Sequence, residues 1–314
     1  MTQSDNVVDQ RAQALLDILE LQQIEQNLYL GQNEQRFPLL HAESVSNDNN
    51  QFSQQVTRRL FGGQVLAQAA MAAYRTVEEV QLHSLHAYFI KAGSTQRPVL
   101  YEIERIRDGR SFKTRRVVAV QGGEAIFNMD VSFQIREPGF DHAHPMPNVP
   151  MPDELTDDSV VAAQLSGTDS DDHLLANMAK LDRPFELRSV FPIGSEAWAA
   201  DRFWSPTWIR FKAPVDAEDQ RQAQCLLAYA SDMGMVSTAT LPHQSDIGRH
   251  QLQMASLDHA LWIHRPVPID QWLLFHKRTS TSQGARGLVH ADFYAINGEL
   301  IASMTQEGLI RVRG

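Results

Sequence analysis

The feature that most constrains this chain is a pattern that occurs in it twice. GGQVLAQAAMAAY (Gly62–Tyr74) reads as a helix, and four strand-like runs follow it: HSLHAYFIKAG, RPVLYEIERIRDG, SFKTRRVVAVQGG and EAIFNMDVSFQIR. A second helical pattern runs from about Asp216 to Met235, preceded by PTWIRFKAPV. It is followed by MASLDHALWIHRPV, DQWLLFHKRTSTS, ARGLVHADFYAING and ELIASMTQEGLIRV. HAYFIK (86–91) aligns with HALWIH (259–264), and the turn GGEAI aligns with NGELI at nearly the same shift. Helix, strands and turns agree in order, which is the signature of an internal duplication.

Both helices are apolar nearly all round, as a helix must be when most of its surface is buried. The strands are rich in Val, Ile, Phe and Tyr and are separated by DG and GG turns, which favours antiparallel pairing. A long central helix wrapped by an antiparallel sheet, present twice, predicts an α+β fold of the double hotdog type. The expected boundaries are an N-terminal helix and lead-in over 1–31, an Asn/Gln-rich loop over 32–57 and an N-terminal hotdog over 58–136. An acidic, Pro-rich connector then covers 137–182, and a C-terminal hotdog carrying the candidate catalytic residues covers 183–314. No Lys or Arg occurs over 137–179, so the connector reads as exposed, with one short helix around Val160.

A formal charge of −10 argues against a general nucleic-acid binder. One cysteine, Cys225, leaves no disulfide framework and fits a reducing compartment. No apolar run approaches the ~18 residues of a membrane span. The first residues carry acids and no cationic segment, and GLIRVRG holds no retention or peroxisomal tripeptide. A cytoplasmic protein is expected.

Asp232, in LLAYASDMGM, stands out. It lies near a helix C-terminus, where the macrodipole disfavours a carboxylate, and it shares the stripe of Ala228 and Cys225. Either it helps Gly234 stop the helix, or it is a functional group whose burial is compensated. Gln306 shares strand parity with Leu300, Ala302, Met304 and Ile310, so it points with the apolar face, and a buried amide needs partners. Parity does not place Ser256.

RLFGGQVLAQA, HSLHAYFIKAG, RDGRSFKTRRV, AYASD, LDHALWIHRP, QGARG and TQEGLIR, in this order, resemble the acyl-CoA thioesterase II (TesB-type) family from about Leu15 to Arg311. The Asn/Gln-rich loop is longer than that pattern, and the acidic connector is individual. The resemblance implies hydrolysis of fatty acyl-CoA to free fatty acid and coenzyme A. It also implies a catalytic trio at Asp232, Ser256 and Gln306, with Ser256 where many relatives have Thr. In that chemistry an Asp takes a proton from the attacking water while a hydroxyl and an amide orient it. The oxyanion calls for donors, and the backbone of Gly63 and Gln64 at a glycine-rich helix start is a candidate. Packing explains the two glycines equally well. Ser256 as nucleophile with His259 or His264 is the less favoured scheme, because no G-x-S-x-G elbow occurs.

An acyl-CoA substrate brings phosphates, for which Arg58, Arg59, Lys113, Arg115 and Arg286 are candidates, although a solvated strand face explains most basic residues here. HSLH (His83, His86) and HAHP (His142, His144) lack the further ligands of a metal site. No metal, no cofactor and no nucleic-acid partner is expected. Fused hotdogs leave edges and faces to cover, so a homo-oligomer, dimer or tetramer, is expected. Two rival functions remain: a hydratase or dehydratase on acyl thioesters, for which His83 or His86 would be the base, and a non-catalytic acyl-CoA-binding sensor.

Overall fold

The structure, a computed structural model, describes residues 9–33, 59–166, 182–200, 202–248 and 251–313. In chain order the elements begin with α1 (Gln10–Leu19), β1 (Gln22–Glu25) and β2 (Leu28–Gly31). The first hotdog follows, with α2 (Gly62–Tyr74), β3 (Gln81–Phe89), β4 (Val99–Asp108), β5 (Phe112–Gln121) and β6 (Glu124–Gln134). Then come α3 (Asp158–Ser166), β7 (Phe185–Ser189), α4 (Glu196–Ala199) and β8 (Trp204–Phe211). The second hotdog continues with α5 (Gln220–Ser231), α6 (Met235–Thr238), β9 (Leu252–Ser256), β10 (Asp258–Ile263), β11 (Leu273–Gln283), β12 (Arg286–Ala295) and β13 (Leu300–Val312).

The strands form one antiparallel sheet in the order β1-β2-β4-β5-β6-β3-β10-β13-β12-β11-β8-β7, with β9 paired to β13. The two repeats join at β3 and β10, where Leu85 faces Leu261 and His86 faces Ala260. Each repeat therefore presents its helix to one face of a continuous sheet, and the fold is a double hotdog. β1, β2 and β7 extend the sheet beyond the repeated strands; their short, mixed sequences carry no clear alternation, so they are invisible as pattern.

The helices α2 and α5 pack against each other as well as against the sheet. Every residue of α2 after Gly62 is buried. The start of α2 meets the end of α5: Phe61 packs edge-on to Tyr229 at 5.0 Å between ring centroids. The end of α2 meets the start of α5, where the Tyr74 hydroxyl donates to Gln224 Oε1 and accepts from the Leu82 N–H at 2.7 Å. The helices thus run antiparallel. A Cβ on Gly63 would fall 2.3 Å from the Tyr229 carbonyl oxygen, so glycine is required by helix–helix approach, not by the sheet.

Helix starts differ in a way that matters for the site. Asp219 caps α5 by accepting from the Arg221 and Gln222 N–H groups at 3.2 and 3.3 Å. The N-cap of α2 is Phe61, which supplies no side-chain acceptor. A helix start buried without one leaves backbone donors wanting a partner. That partner comes from the other repeat.

The connector departs from expectation. Its short helix is present as α3, yet the segment before it is not merely exposed. Met146, Val149 and Leu155 pack on Trp208, Trp272, Leu274 and Tyr294, and Trp208 Nε1 donates to the Pro150 carbonyl at 2.9 Å. The prolines hold the chain extended while its few apolar side chains cover an aromatic patch of the sheet.

Candidate active site

Helix α5 ends because Gly234 adopts a left-handed conformation, φ 73°, which suits glycine. Asp232 is the C-cap, but its side chain is not spent on the turn. It is turned inward and only 8% exposed. Its Oδ1 accepts from Ser256 Oγ at 3.1 Å and from Gln306 Nε2 at 3.0 Å, and its carboxylate accepts from the Gly63 N–H. Gln306 Nε2 also reaches Ser256 Oγ at 2.8 Å. The three residues singled out in the sequence are therefore in mutual hydrogen-bond contact.

Each comes from a different element of the second repeat. Ser256 closes β9 opposite Gly308 of β13, and Gln306 lies two residues before Gly308 on the same strand, 1% exposed. The fourth partner, Gly63, belongs to the first repeat. The carboxylate thus lies at the negative end of its own helix and at the positive end of the other, and serves as the missing cap of α2. A Cβ on Gly62 would stand 2.6 Å from Asp232 Oδ2, so any larger residue there would collide with the carboxylate.

Burial pushes the Asp232 pKa up, from 3.8 to about 6, against the pull of the donors Gln306, Ser256 and Gly63. At neutral pH the carboxylate is ionised yet close to its titration range, as suits a general base.

The candidate donors Gly63 and Gln64 stand at the start of α2, next to the Asp232 carboxylate. The Gly63 N–H is the weakest of the three donors that lower the Asp232 pKa, and the Gln64 N–H donates to the Phe61 carbonyl at 3.1 Å. The Gln64 side chain faces the lead-in segment, donating to Asn33 Oδ1 at 3.0 Å. Two of the basic candidates, Arg115 and Lys113, lie beyond the far end of α2. Arg115 is 1% exposed and fully engaged: Nε donates to Thr76 Oγ1 at 2.8 Å, Nη1 to the Arg107 and Thr114 carbonyls, and Nη2 to Asp108 Oδ1 and the Thr76 carbonyl. It ties the end of α2 to β4 and β5. Lys113 donates to the Glu78 carbonyl at 2.9 Å, beyond that same end. Thirteen residues of α2 separate this end from Asp232, roughly 20 Å at the helical rise. Arg59 and Arg286 lie toward the Asp232 end: Arg59 bridges to Ser94 just ahead of α2, and Arg286 pairs with Glu307 at 2.9 Å beside Gln306. Arg58 lies outside the described residues.

The histidines of the rival schemes are elsewhere. His86 stacks edge-on against Trp262 with its side chain exposed, and His83 pairs with Ser132 Oγ at 2.8 Å. His264 is bonded to Ser303 at 3.1 Å. His259, by contrast, is 1% exposed, with Nδ1 2.6 Å from Gln306 Oε1 and Nε2 2.9 Å from Ser231 Oγ. Its two ring nitrogens are thus both taken by groups other than Ser256. Its parity with Leu261 and Ile263 was the sequence signal that it points inward. Among the described residues no cluster of His, Cys, Asp or Glu could hold a metal ion, and no helix is long and apolar enough to cross a membrane.

Comparison with known proteins gives the family. The family model for acyl-CoA thioesterase matches residues 201–309, and that for the acyl-CoA thioesterase N-terminal domain matches residues 52–134. Acyl-CoA thioesterase 2 of Haemophilus influenzae is 36% identical over 260 residues, covering 81% of this chain and 88% of that protein. The chain belongs to the acyl-CoA thioesterase family. Mouse acyl-coenzyme A thioesterase 8 is 35% identical over 313 residues, covering 97% of this chain and 91% of its own length. Among solved structures, the acyl-CoA thioesterase II TesB2 of Mycobacterium marinum superposes with a TM-score of 0.73 at 33% identity, covering 96% of this chain and 98% of that one. The thioesterase relatives thus span both repeats and the junction where Gly63 meets Asp232.

Proposed function

We propose that this acyl-CoA thioesterase hydrolyses fatty acyl-CoA to free fatty acid and coenzyme A by direct attack of a water held by Asp232, Ser256 and Gln306. The observation that carries the reading is the buried Asp232 carboxylate, hydrogen-bonded to both a hydroxyl and an amide. Asp232 takes a proton as the water oxygen attacks the thioester carbonyl carbon, while Ser256 and Gln306 fix the direction of approach. The proposed donors to the charge that develops on the carbonyl oxygen are the backbone groups at the start of α2, Gly63 and Gln64. Collapse of the tetrahedral intermediate breaks the C–S bond, and the proton held by Asp232 passes to the departing thiolate. Ser256 is the orienting hydroxyl, not a nucleophile: among the described residues its Oγ is bonded to Asp232 and Gln306, while His259 and His264 are bonded to other groups.

Arg59 and Arg286, toward the same end of the helix pair, are the proposed phosphate contacts. Single, buried Cys225 fits a cytoplasmic enzyme, and the exposed Tyr88 and Trp262 on the outer face of the central strands fit association into a homo-oligomer. The mechanism is tested by a single turnover of acyl-CoA in ¹⁸O-water with enzyme in excess. Water attack places label in the released fatty acid and none in the peptide containing Asp232. Label in that peptide would mean that Asp232 itself was acylated, and would overturn the water mechanism.

A further inference from the structure

Gln306 can serve Asp232 and Ser256 only in one of its two amide orientations. Both of its N–H bonds are used toward them, at 3.0 and 2.8 Å. A flipped amide would set its carbonyl oxygen against the carboxylate, so some other group must hold Oε1 on the far side. That group is His259, whose Nδ1 stands 2.6 Å from Oε1. Because Oε1 only accepts, Nδ1 must carry the hydrogen. Burial lowers the His259 pKa from 6.5 to about 4, so the ring is neutral at neutral pH and its Nε2 is bare. A bare Nε2 needs a donor. Ser231 Oγ lies 2.9 Å away and is itself buried, although its hydrogen can turn instead to the Ala228 carbonyl at 2.8 Å. Only the turn toward the ring gives the bare Nε2 a donor from Ser231.

We infer that His259 and Ser231 are positioning residues that lock the Gln306 amide by fixing one imidazole tautomer, giving a directed chain from Ser231 through His259 and Gln306 to Asp232 and Ser256. Neither residue touches the water. Ser231 is the last residue of α5 and Asp232 its C-cap, so the same helix end supplies both the general base and the group that orients its partner. A ring of this kind is costly to bury and contributes nothing to the apolar packing that Leu or Phe would not contribute better. Its retention at the back of Gln306 is explained by the amide it orients. The inference rests on the catalytic reading of Gln306.

The test uses the full chain with His259→Leu, His259→Asn, Gln306→Ala and the double variant His259→Leu/Gln306→Ala. The Leu variant is expected to lose roughly 10- to 100-fold in kcat with KM little changed, the range of a misaligned catalytic group. Asn, which returns an N–H near the Nδ1 position, is expected to recover most of it. The double variant is expected to be no slower than Gln306→Ala alone, since the ring has nothing left to orient. Titration of Asp232 supplies a further readout. Burial sets it against the three neutral donors Gln306, Ser256 and Gly63, and no charged side chain contributes to it among the described residues. With Gln306 free to turn, one donor is lost, so the acid limb of kcat/KM should move upward from about pH 6 in the Leu variant. Wild-type kcat and an unmoved acid limb in His259→Leu would overturn the inference, as would losses that simply add in the double variant. Full activity in Gln306→Ala would instead remove the catalytic reading itself, so the two failures are distinguishable.

Discussion

Asp232 is a buried carboxylate that is ionised at neutral pH, and its elevated pKa has consequences that can be measured separately for rate and for stability. For rate, the base must be ionised, so kcat/KM should fall about tenfold per pH unit below about pH 6. A pH–rate profile with no acid limb in that region would count against Asp232 as the base. For stability the sign is opposite. The folded-state pKa, about 6, lies above the unfolded value of 3.8, so folding binds this proton more tightly. The stabilisation is fully present below pH 3.8 and is lost as pH rises through 6. An Asn at 232 escapes that loss. Asp232→Asn should therefore gain stability relative to wild type as pH rises from 4 to 7, by up to about 3 kcal/mol for a shift of this size. The gain is reduced by whatever the amide nitrogen loses against the Gly63 N–H. Denaturant unfolding of both proteins at pH 4.5 and pH 7.5 checks this, and a difference that does not change with pH would contradict it. Activity and stability would then trade against each other at one residue.

At the scale of elements, the closest constraint is the crossing of α2 and α5. Gly63→Ala places a methyl 2.3 Å from the Tyr229 carbonyl oxygen and moves the donor that caps Asp232. It is expected to cost about 1–3 kcal/mol by urea unfolding and to lower kcat as well. Arg115 provides the contrasting case. Its five hydrogen bonds join α2, β4 and β5, and Arg115→Ala should destabilise by about 3 kcal/mol, with KM for acyl-CoA unchanged in the folded fraction. A raised KM without loss of stability would restore it as a phosphate ligand. These two cases show what was legible in the sequence. The helices and repeated strands were, because apolar periodicity is local. Gln306 was, through parity with its neighbours. Arg115 shares inward parity with Val117 and Ala119, but the surrounding run of basic residues masked that signal. The contact between Gly63 and Asp232 was not legible, because it joins residues far apart in sequence and depends on how two helices cross. For the same reason, the glycines could be read as donors or as packing positions until the crossing was known.

Taken as a whole, the molecule needs both halves for one site. The second repeat holds Asp232, Ser256, His259 and Gln306, while the first supplies the helix start that receives the carboxylate. Among the described residues the halves meet at the β3–β10 pairing and at the helix pair. A protease site inserted at Gly139 and then cut should therefore leave a nicked protein that elutes as one species and keeps its activity. Separation of the fragments on size-exclusion chromatography under native conditions would show that the connector, instead, holds the site together. The measurement that bears most directly on the central claim is free-thiol release from a series of acyl-CoA chain lengths by wild type and by Asp232→Asn. Turnover by wild type and a loss of roughly 100- to 10,000-fold in the variant, the scale of a missing general base, is the predicted result. Wild-type rates from the folded Asn variant would contradict it and leave Asp232 as no more than the cap of a neighbouring helix.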